Sequence, residues 1–176
     1  IRATGAGWEY ECDQRHVKVL IEELELAATK SFTTPGVVDA VDKSQVGATV
    51  VDSDPDSEPL VGESTTRYRA LAAPVNYIVV DRADAQYCTK ELCRDMSSQT
   101  VASWKRLLRL GRYFLGVPRA IILFSWQPEA TWFDIYTDAN WAGCRRGRKS
   151  TSGGTIMIGA HLIRTYSKTQ ATIAKS

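Results

Sequence analysis

The hydrophobic period of this 176-residue chain changes after residue 115. Up to that point, residues 100–115 (TVASWKRLLRLGRYFL) repeat apolar side chains at helical spacing, and Gly116 and Pro118 end the pattern. Short segments rich in Ile, Phe, Tyr, Trp and Thr follow, separated by turn residues: 120–126, 131–137, 154–159 and 162–166. A chain that is helical first and strand-rich last is predicted to have an α+β fold, with these segments as successive strands of an antiparallel meander.

The residues before this helix are predicted to form one strand, further helices and a linker. Residues 6–12 are predicted as a strand, and Asp13 is expected to cap a helix over residues 14–26. Residues 39–66 carry seven acidic residues and one basic residue, together with prolines and glycines, which predicts an exposed acidic linker. Residues 65–96 are predicted as two helices broken near Asp81.

The charge of the chain is distributed unevenly, although the net charge is only +2. Residues 1–103 hold 10 Lys/Arg against 17 Asp/Glu, or −7, and residues 104–176 hold 12 against 3, or +9. The apolar fraction of 44% and charged fraction of 24% are typical of a globular protein. The basic half therefore favours a polyanionic partner on the C-terminal side.

Asp138 lies at the end of the strand-like run FDIYTDANWAG, in which alternation places Asp134, Tyr136 and Asp138 on one face. A carboxylate in this position is able to coordinate Mg²⁺, a hard cation that takes carboxylate and phosphate oxygens together. The alternative is an aspartate that caps the following turn. One carboxylate does not make a two-metal phosphodiester site, so the local pattern leaves both interpretations open.

A basic turn follows Asp138 between two predicted strands. Its cations and hydroxyls are candidates for phosphate contacts: Arg145, Arg146, Arg148, Lys149, Ser150, Thr151 and Ser152. The helix at 100–115 carries a second basic face, made of Lys105, Arg109 and Arg112. The alternative for the basic turn is a solvated loop, and the alternative for the basic helix face is a helix surface that contacts only solvent.

Other kinds of site are not predicted. The four cysteines contain no CxxC pair and the chain has only two histidines, which argues against zinc, and the scattered cysteines fit a reducing intracellular compartment. His16 and His161 belong to no cluster of ligands and are predicted to be structural. The longest wholly apolar run, residues 120–124, is too short to cross a bilayer, so neither a membrane partner nor a signal segment is predicted.

The order of the motifs resembles one family. YTDANWAGCRRGRKSTSGGTIMIGAHLIRTYSKTQATIAKS, residues 136–176, is similar to the start of the ribonuclease H domain in copia-type retrotransposon Pol polyproteins. TRYRALAAPVNYIVVDRADAQYCTKELCRDM and ASWKRLLRLGRYFLGVP resemble the segment that joins reverse transcriptase to that domain. GWEYECDQRHVKVLIEELEL, followed by TTPG, resembles the end of the polymerase palm.

This resemblance implies a division of the chain into four parts. Residues 1–38 would be the end of the palm and the entry to the thumb, 39–66 the acidic linker, and 67–118 a helical thumb- or connection-like region. Residues 119–176 would be the antiparallel three-stranded start of a ribonuclease H-like fold, incomplete at its C-terminus. Ala83 and Ala85 stand where the family motif R-P-D-I has Pro and Ile, a change expected to weaken a turn and remove an apolar contact. Asn140 stands where many relatives have Asp, at a position taken as non-catalytic.

The resemblance also implies a function. The parent activity is reverse transcription with Mg²⁺-dependent cleavage of RNA in RNA–DNA hybrids, and Asp138 is its first metal-binding carboxylate. Because the polymerase aspartates and the later ribonuclease H carboxylates are expected outside these residues, the fragment is predicted to be inactive alone. The nucleic-acid contacts would come from the basic turn, the basic helix face and Lys168. Its partners would be the hybrid and the rest of the polyprotein, in a cytoplasmic particle or the nucleus. The alternative is a non-catalytic fragment that grips duplex backbone.

Overall fold

The computed structural model describes residues 1–36, 58–144 and 147–174. Within these ranges the chain combines α-helices with two antiparallel three-stranded sheets, which confirms the prediction of a mixed helix and sheet fold. The helices are α1 (Arg15–Glu23), α2 (Glu63–Ile78), α3 (Gln86–Arg94) and α4 (Val101–Gly116). The strands are β1 (Arg2–Thr4), β2 (Gly7–Glu11), β3 (Ile121–Ser125), β4 (Asp134–Asn140), β5 (Lys149–Ile158) and β6 (His161–Ile173).

The hydrophobic core lies among the four helices. α4 supplies its central face, and its first turn is fixed by a reciprocal pair of hydrogen bonds between Thr100 and Ser103, a capping box. A methyl group on Gly111 would lie 2.6 Å from Leu26 Cδ1, so the glycine lets the chain after α1 approach α4 closely. Core residues come from all four helices and the turns beside them: Val17, Leu20, Leu24, Leu26, Tyr68, Leu71, Ala72, Val75, Ile78, Ala85, Leu92, Leu107, Leu110, Tyr113 and Phe114.

The helix predictions agree with the structure apart from their boundaries. The break predicted near Asp81 separates α2 from α3, and a single 3-10 turn at Ala83–Ala85 precedes α3. Asp13 accepts the backbone N–H of Arg15 at 2.9 Å, but the residue at the helix boundary is Gln14. α2 begins at Glu63, inside the range predicted as linker, and residues 37–57 of that range lie outside the described residues.

The sheet prediction needs one correction. The segment predicted at 120–126 forms β3, but β3 pairs with β2 and completes the sheet β1-β2-β3 instead of joining the meander. β3 (IILFS) is a run of four apolar residues, whereas β2 (GWEYE) alternates Trp8 and Tyr10 with glutamates, and neither pattern specifies the partner strand. The second sheet has the order β4-β5-β6, with antiparallel pairing throughout.

The β4-β5-β6 sheet contributes little to the core. Among the described residues after 120, only Ser150 is buried, whereas Phe133, Ile135 and Trp141 on and beside β4 are more than 60% exposed. β4 is an edge strand, so its outer hydrogen-bonding groups face away from the sheet. His161, in the β5–β6 hairpin, forms a 2.7 Å hydrogen bond with the Ser125 carbonyl and so links the two sheets.

An ion pair between a buried arginine and a partly exposed aspartate fixes the turn between α2 and α3. Arg82, only 1% exposed, donates to Asp84 Oδ1 at 3.0 Å and to Oδ2 at 2.7 Å, and the Tyr113 hydroxyl donates to Oδ2 at 2.6 Å. Burial raises the pKa of Asp84, but the hydrogen bonds from Arg82 and Tyr113 outweigh it and hold the pKa below its usual value. The hydrogen bonds to Asp84 therefore stabilise this turn, in which Ala85 stands where the family motif has an apolar Ile. Ala85 itself is fully buried.

Candidate nucleic-acid interface

Asp138 lies on β4, paired with Gly153 of β5, which in turn pairs with Ser167 of β6. Directly paired residues in antiparallel strands project from the same face, so these three positions form one row across the sheet. Rows on either side of it, on the same face, contain Tyr136 and Asn140 of β4. Asp138 is exposed, and its face of the sheet is predominantly polar.

This face forms a cleft with α3. The cleft has a volume of about 360 Å³, and Asp138, Asn140, Gly153, Gln86 and Tyr87 are among the residues that line it. Two hydrogen bonds hold α3 to the sheet: Gln86 Nε2 donates to the Thr165 carbonyl at 3.3 Å, and Lys90 Nζ donates to Thr151 Oγ1 at 2.6 Å. The structure therefore places the candidate metal ligand at a junction between the helices and the second sheet.

The glycines in the middle of β5 have different surroundings. A methyl group on Gly153 would have no heavy atom closer than 3.8 Å, so the cleft above this residue is open. A methyl group on Gly154 would lie 2.5 Å from ring atoms of Tyr166, which covers the opposite face. Gly154 therefore allows a close approach, whereas Gly153 leaves space beside Asp138.

The basic turn is described only in part. Arg145 and Arg146 lie outside the described residues. Arg148 is exposed and has a φ of 46°, a left-handed conformation that few non-glycine residues adopt. Lys149 is half-buried, and its carbonyl accepts the Cys144 N–H at 3.0 Å. Phosphate binding by this turn stays a prediction.

The three hydroxyls predicted to contact phosphate have partners inside the protein. Ser150 Oγ, which is buried, accepts the Ala142 N–H at 3.1 Å. Thr151 Oγ1 accepts from Lys90, and Ser152 Oγ accepts from Gln170 Nε2 at 2.9 Å. These contacts order the end of the sheet next to Asp138, and each hydroxyl retains capacity for a further hydrogen bond.

The basic face of α4 lies beside residues 30–34. Arg112 Nε donates to the Lys30 carbonyl at 2.6 Å, and Arg109 Nη2 donates to Thr34 Oγ1 at 2.8 Å. Both guanidinium groups also lie over the ring of Phe32, with Cζ 4.4 Å from the ring centroid for Arg109 and 3.9 Å for Arg112. These arginines therefore hold the segment after α1 against α4, while Lys105 is exposed.

Lys168 does not share a face with Asp138. It pairs with Ser152, one residue out of phase with the Gly153–Ser167 pair, and so projects from the opposite side of the sheet. The predicted nucleic-acid contacts thus occupy several surfaces: the cleft with its adjoining turn, the far face of β6, and α4. Among the described residues predicted to contact nucleic acid or metal, Asp138 and Thr151 line the cleft together.

A magnesium ion fits this cleft only in part. Mg²⁺ is commonly held by one or two carboxylates together with water and phosphate oxygens, and Asp138 is able to supply one carboxylate. Within the three described stretches, however, no three His, Cys, Asp or Glu side chains form a group that could hold a metal ion. The described residues therefore do not make a two-metal site.

The α3 side of the cleft was not predicted from the sequence. Gln86, Tyr87 and Lys90 carry no motif that marks them as ligand-binding, and Lys90 reaches the sheet across 61 residues of sequence. The helical pattern placed them correctly on a helix, but the docking of that helix depends on hydrogen bonds to a distant strand.

No helix in the described part of the chain is long and apolar enough to cross a membrane.

Comparisons with curated proteins confirm the predicted resemblance to retrotransposon Pol polyproteins. The chain is 32% identical over 111 residues to the retrovirus-related Pol polyprotein from transposon RE2 of Arabidopsis thaliana and 30% identical over 111 residues to that from transposon RE1. Each match covers 63% of this chain and 8% of the polyprotein. The chain is also 28% identical over 109 residues to an uncharacterised mitochondrial protein of the same plant, covering 62% of this chain and 45% of that protein.

The chain thus spans less than half of each of these relatives. No protein-family model and no solved structure matches it.

Proposed function

We propose that this chain is a segment of a retrotransposon Pol polyprotein that contributes to Mg²⁺-dependent cleavage of RNA in RNA–DNA hybrids during reverse transcription. In this proposal β4, β5 and β6 are the first strands of a ribonuclease H-like domain, and α2, α3 and α4 belong to the connection with the polymerase. The observation that carries it is Asp138 in an open polar cleft, in a chain similar to Pol polyproteins.

Asp138 is the proposed metal ligand. It would hold Mg²⁺ together with a phosphate oxygen of the nucleic acid, and the bound ion would neutralise charge on that phosphate. Asn140 accepts the Thr151 N–H through Oδ1 at 2.6 Å, which orders the strand end beside Asp138. No other carboxylate group completes the site among the described residues, so this chain alone is proposed to bind nucleic acid without cleaving it.

The nucleic-acid backbone would be held first by the basic turn after β4. Arg148 is exposed and precedes β5, whose Thr151 lines the cleft, and Arg145 and Arg146 belong to the same turn of the sequence. In this proposal Lys105, Arg109, Arg112 and Lys168 supply longer-range attraction, since they lie on other surfaces or already have partners. Affinity should fall as salt rises, because each phosphate contact releases counterions. The site of action, a cytoplasmic particle or the nucleus, stays a prediction.

The proposal is tested by incubating the purified chain with a labelled RNA–DNA hybrid in Mg²⁺. Binding is expected to weaken steadily as the salt concentration rises, and the RNA strand is expected to stay intact. RNA cleavage that requires Mg²⁺ and is abolished by Asp138→Asn would show that the chain holds a complete site. Binding that ignores Mg²⁺ and survives Asp138→Ala would instead favour a fragment that only grips duplex backbone.

A further inference from the structure

One wall of the Asp138 cleft is formed by α3, which lies outside the β4-β5-β6 sheet. The hydrogen bonds from Gln86 to the Thr165 carbonyl and from Lys90 to Thr151 attach this helix to β6 and to β5, the strand that contains Gly153. The helix is therefore held over the sheet face that bears Asp138. A ligand that reaches Asp138 through the cleft passes along α3.

The size of the cleft limits what enters it. Its volume of about 360 Å³ is at the lower end of the range of about 300–1,000 Å³ found for small-ligand sites. A base-paired duplex does not fit inside a space of this volume and would instead lie across the open mouth of the cleft, with its backbone near Asp138. An unpaired nucleotide matches the volume, and the open space above Gly153 provides its floor.

The lining has the chemistry of a single-strand site. Tyr87 is 49% exposed and lines the cleft from α3, and Asp138 lines it from β4. Lys90 Nζ lies 4.7 Å from the centroid of that ring and also donates to Thr151 of β5, so Lys90 links Tyr87 to the sheet. The amide of Gln86 and the hydroxyl of Ser167 add polar contacts for base edges or sugar. Aromatic rings combined with cations and polar groups are typical of sites that bind unpaired bases.

We propose that the cleft between α3 and the sheet binds one unpaired nucleotide of a nucleic-acid strand, with its base stacked on Tyr87. This inference rests on the proposed function, because it takes a hybrid bound near Asp138 as its starting point. It adds that the helical region selects hybrids with a single-stranded end or a displaced strand. Lys90 acts as a positioning residue for Tyr87.

The test compares a blunt RNA–DNA hybrid with the same hybrid carrying a short single-stranded overhang, using fluorescence anisotropy with the full chain. The overhang is expected to tighten binding roughly 5- to 150-fold, the range that one stacked base supplies. Tyr87→Leu should remove this gain, whereas Tyr87→Phe should keep it. Gly153→Val, which fills the cleft, should also remove it. Tyr77→Leu is the matched control, since Tyr77 is 72% exposed on α2 and does not line the cleft.

The outcomes separate the two proposals. An overhang gain that is lost in Tyr87→Leu, with an unchanged salt dependence of blunt-hybrid binding, supports the stacking site. Equal binding of blunt and overhanging hybrids, or an overhang gain that persists in both Tyr87→Leu and Gly153→Val, overturns this inference and leaves the proposed function intact. Failure of the unaltered chain to bind either hybrid overturns both proposals.

Discussion

Replacing Asp84 with alanine should destabilise the fold more than removing its partner Arg82. Arg82 is 1% exposed, so Asp84→Ala leaves a buried guanidinium without its carboxylate. Loss of one member of a buried pair costs about 3–5 kcal/mol. The Asp84 side chain is 37% exposed, which lets water replace part of the interaction, and we expect a loss of about 2–3 kcal/mol.

The converse variant, Arg82→Met, removes the buried charge itself. The remaining Asp84 carboxylate is partly hydrated and keeps its 2.6 Å hydrogen bond from Tyr113. In the unaltered chain the guanidinium carbon of Arg82 lies 4.8 Å from the centroid of the Phe114 ring, and the Met side chain would still fill space beside this ring. We expect a loss of about 1 kcal/mol, and we expect the double variant to be no less stable than Asp84→Ala alone.

Urea unfolding followed by far-UV circular dichroism at neutral pH measures these differences. The pKa of Asp84 is lowered in the folded state, so its contribution to stability is complete above the unfolded pKa of about 3.9 and is lost as pH falls through the folded pKa. The difference between the unaltered chain and Asp84→Ala should therefore shrink below about pH 4. A larger loss of stability for Arg82→Met than for Asp84→Ala, or a loss of less than about 1 kcal/mol for Asp84→Ala, would contradict this prediction.

Two further predictions concern β5 and β2. Gly154→Ala should lower the free energy of unfolding by about 1–3 kcal/mol because its methyl group meets the Tyr166 ring, whereas Gly153→Ala should change it by less than about 1 kcal/mol; equal effects in urea unfolding would contradict this. The hydrogen bond from the Tyr10 hydroxyl to Asp81 raises the pKa of Tyr10 to about 12. Its stabilising contribution is therefore present below about pH 10 and is lost as pH rises toward 12. Burial also raises the pKa values of Tyr68 and Tyr113, so ultraviolet titration should show several late phenolates, of which Tyr10→Phe removes one; an unchanged late titration in that variant would contradict the assignment.

Local patterns predicted the elements well where each element carries its own boundary signals. α4 begins at a Thr100–Ser103 cap and ends at Gly116, and both signals are visible in the sequence. The partner of β3 was not predictable, because its continuous apolar run marks neither a face nor a partner, and the strand with which it pairs lies more than 100 residues away in the sequence. The buried Arg82 was missed for a related reason, since an arginine in a turn indicates a surface residue unless its partners are known.

The candidate site was predictable only on its strand side. Alternation in β4 was enough to place Asp138 and Tyr136 on one face. The α3 wall depends on Lys90 and Gln86, which contact the sheet through hydrogen bonds and leave no hydrophobic pattern. For α4 the sequence correctly placed Arg109 and Arg112 on one helix face but did not predict their partners. Both guanidinium groups contact Phe32 and the residues beside it.

The most direct test of the account is the affinity of the chain for an RNA–DNA hybrid in Mg²⁺ and in EDTA, measured for the unaltered protein and for Asp138→Asn. A carboxylate in the cleft repels phosphate unless a cation lies between them, so Mg²⁺ should tighten binding of the unaltered chain. Asp138→Asn should lose this effect of Mg²⁺ and should bind at least as well as the unaltered chain in EDTA. Identical affinities for both proteins under both conditions would contradict the placement of Asp138 at the nucleic acid.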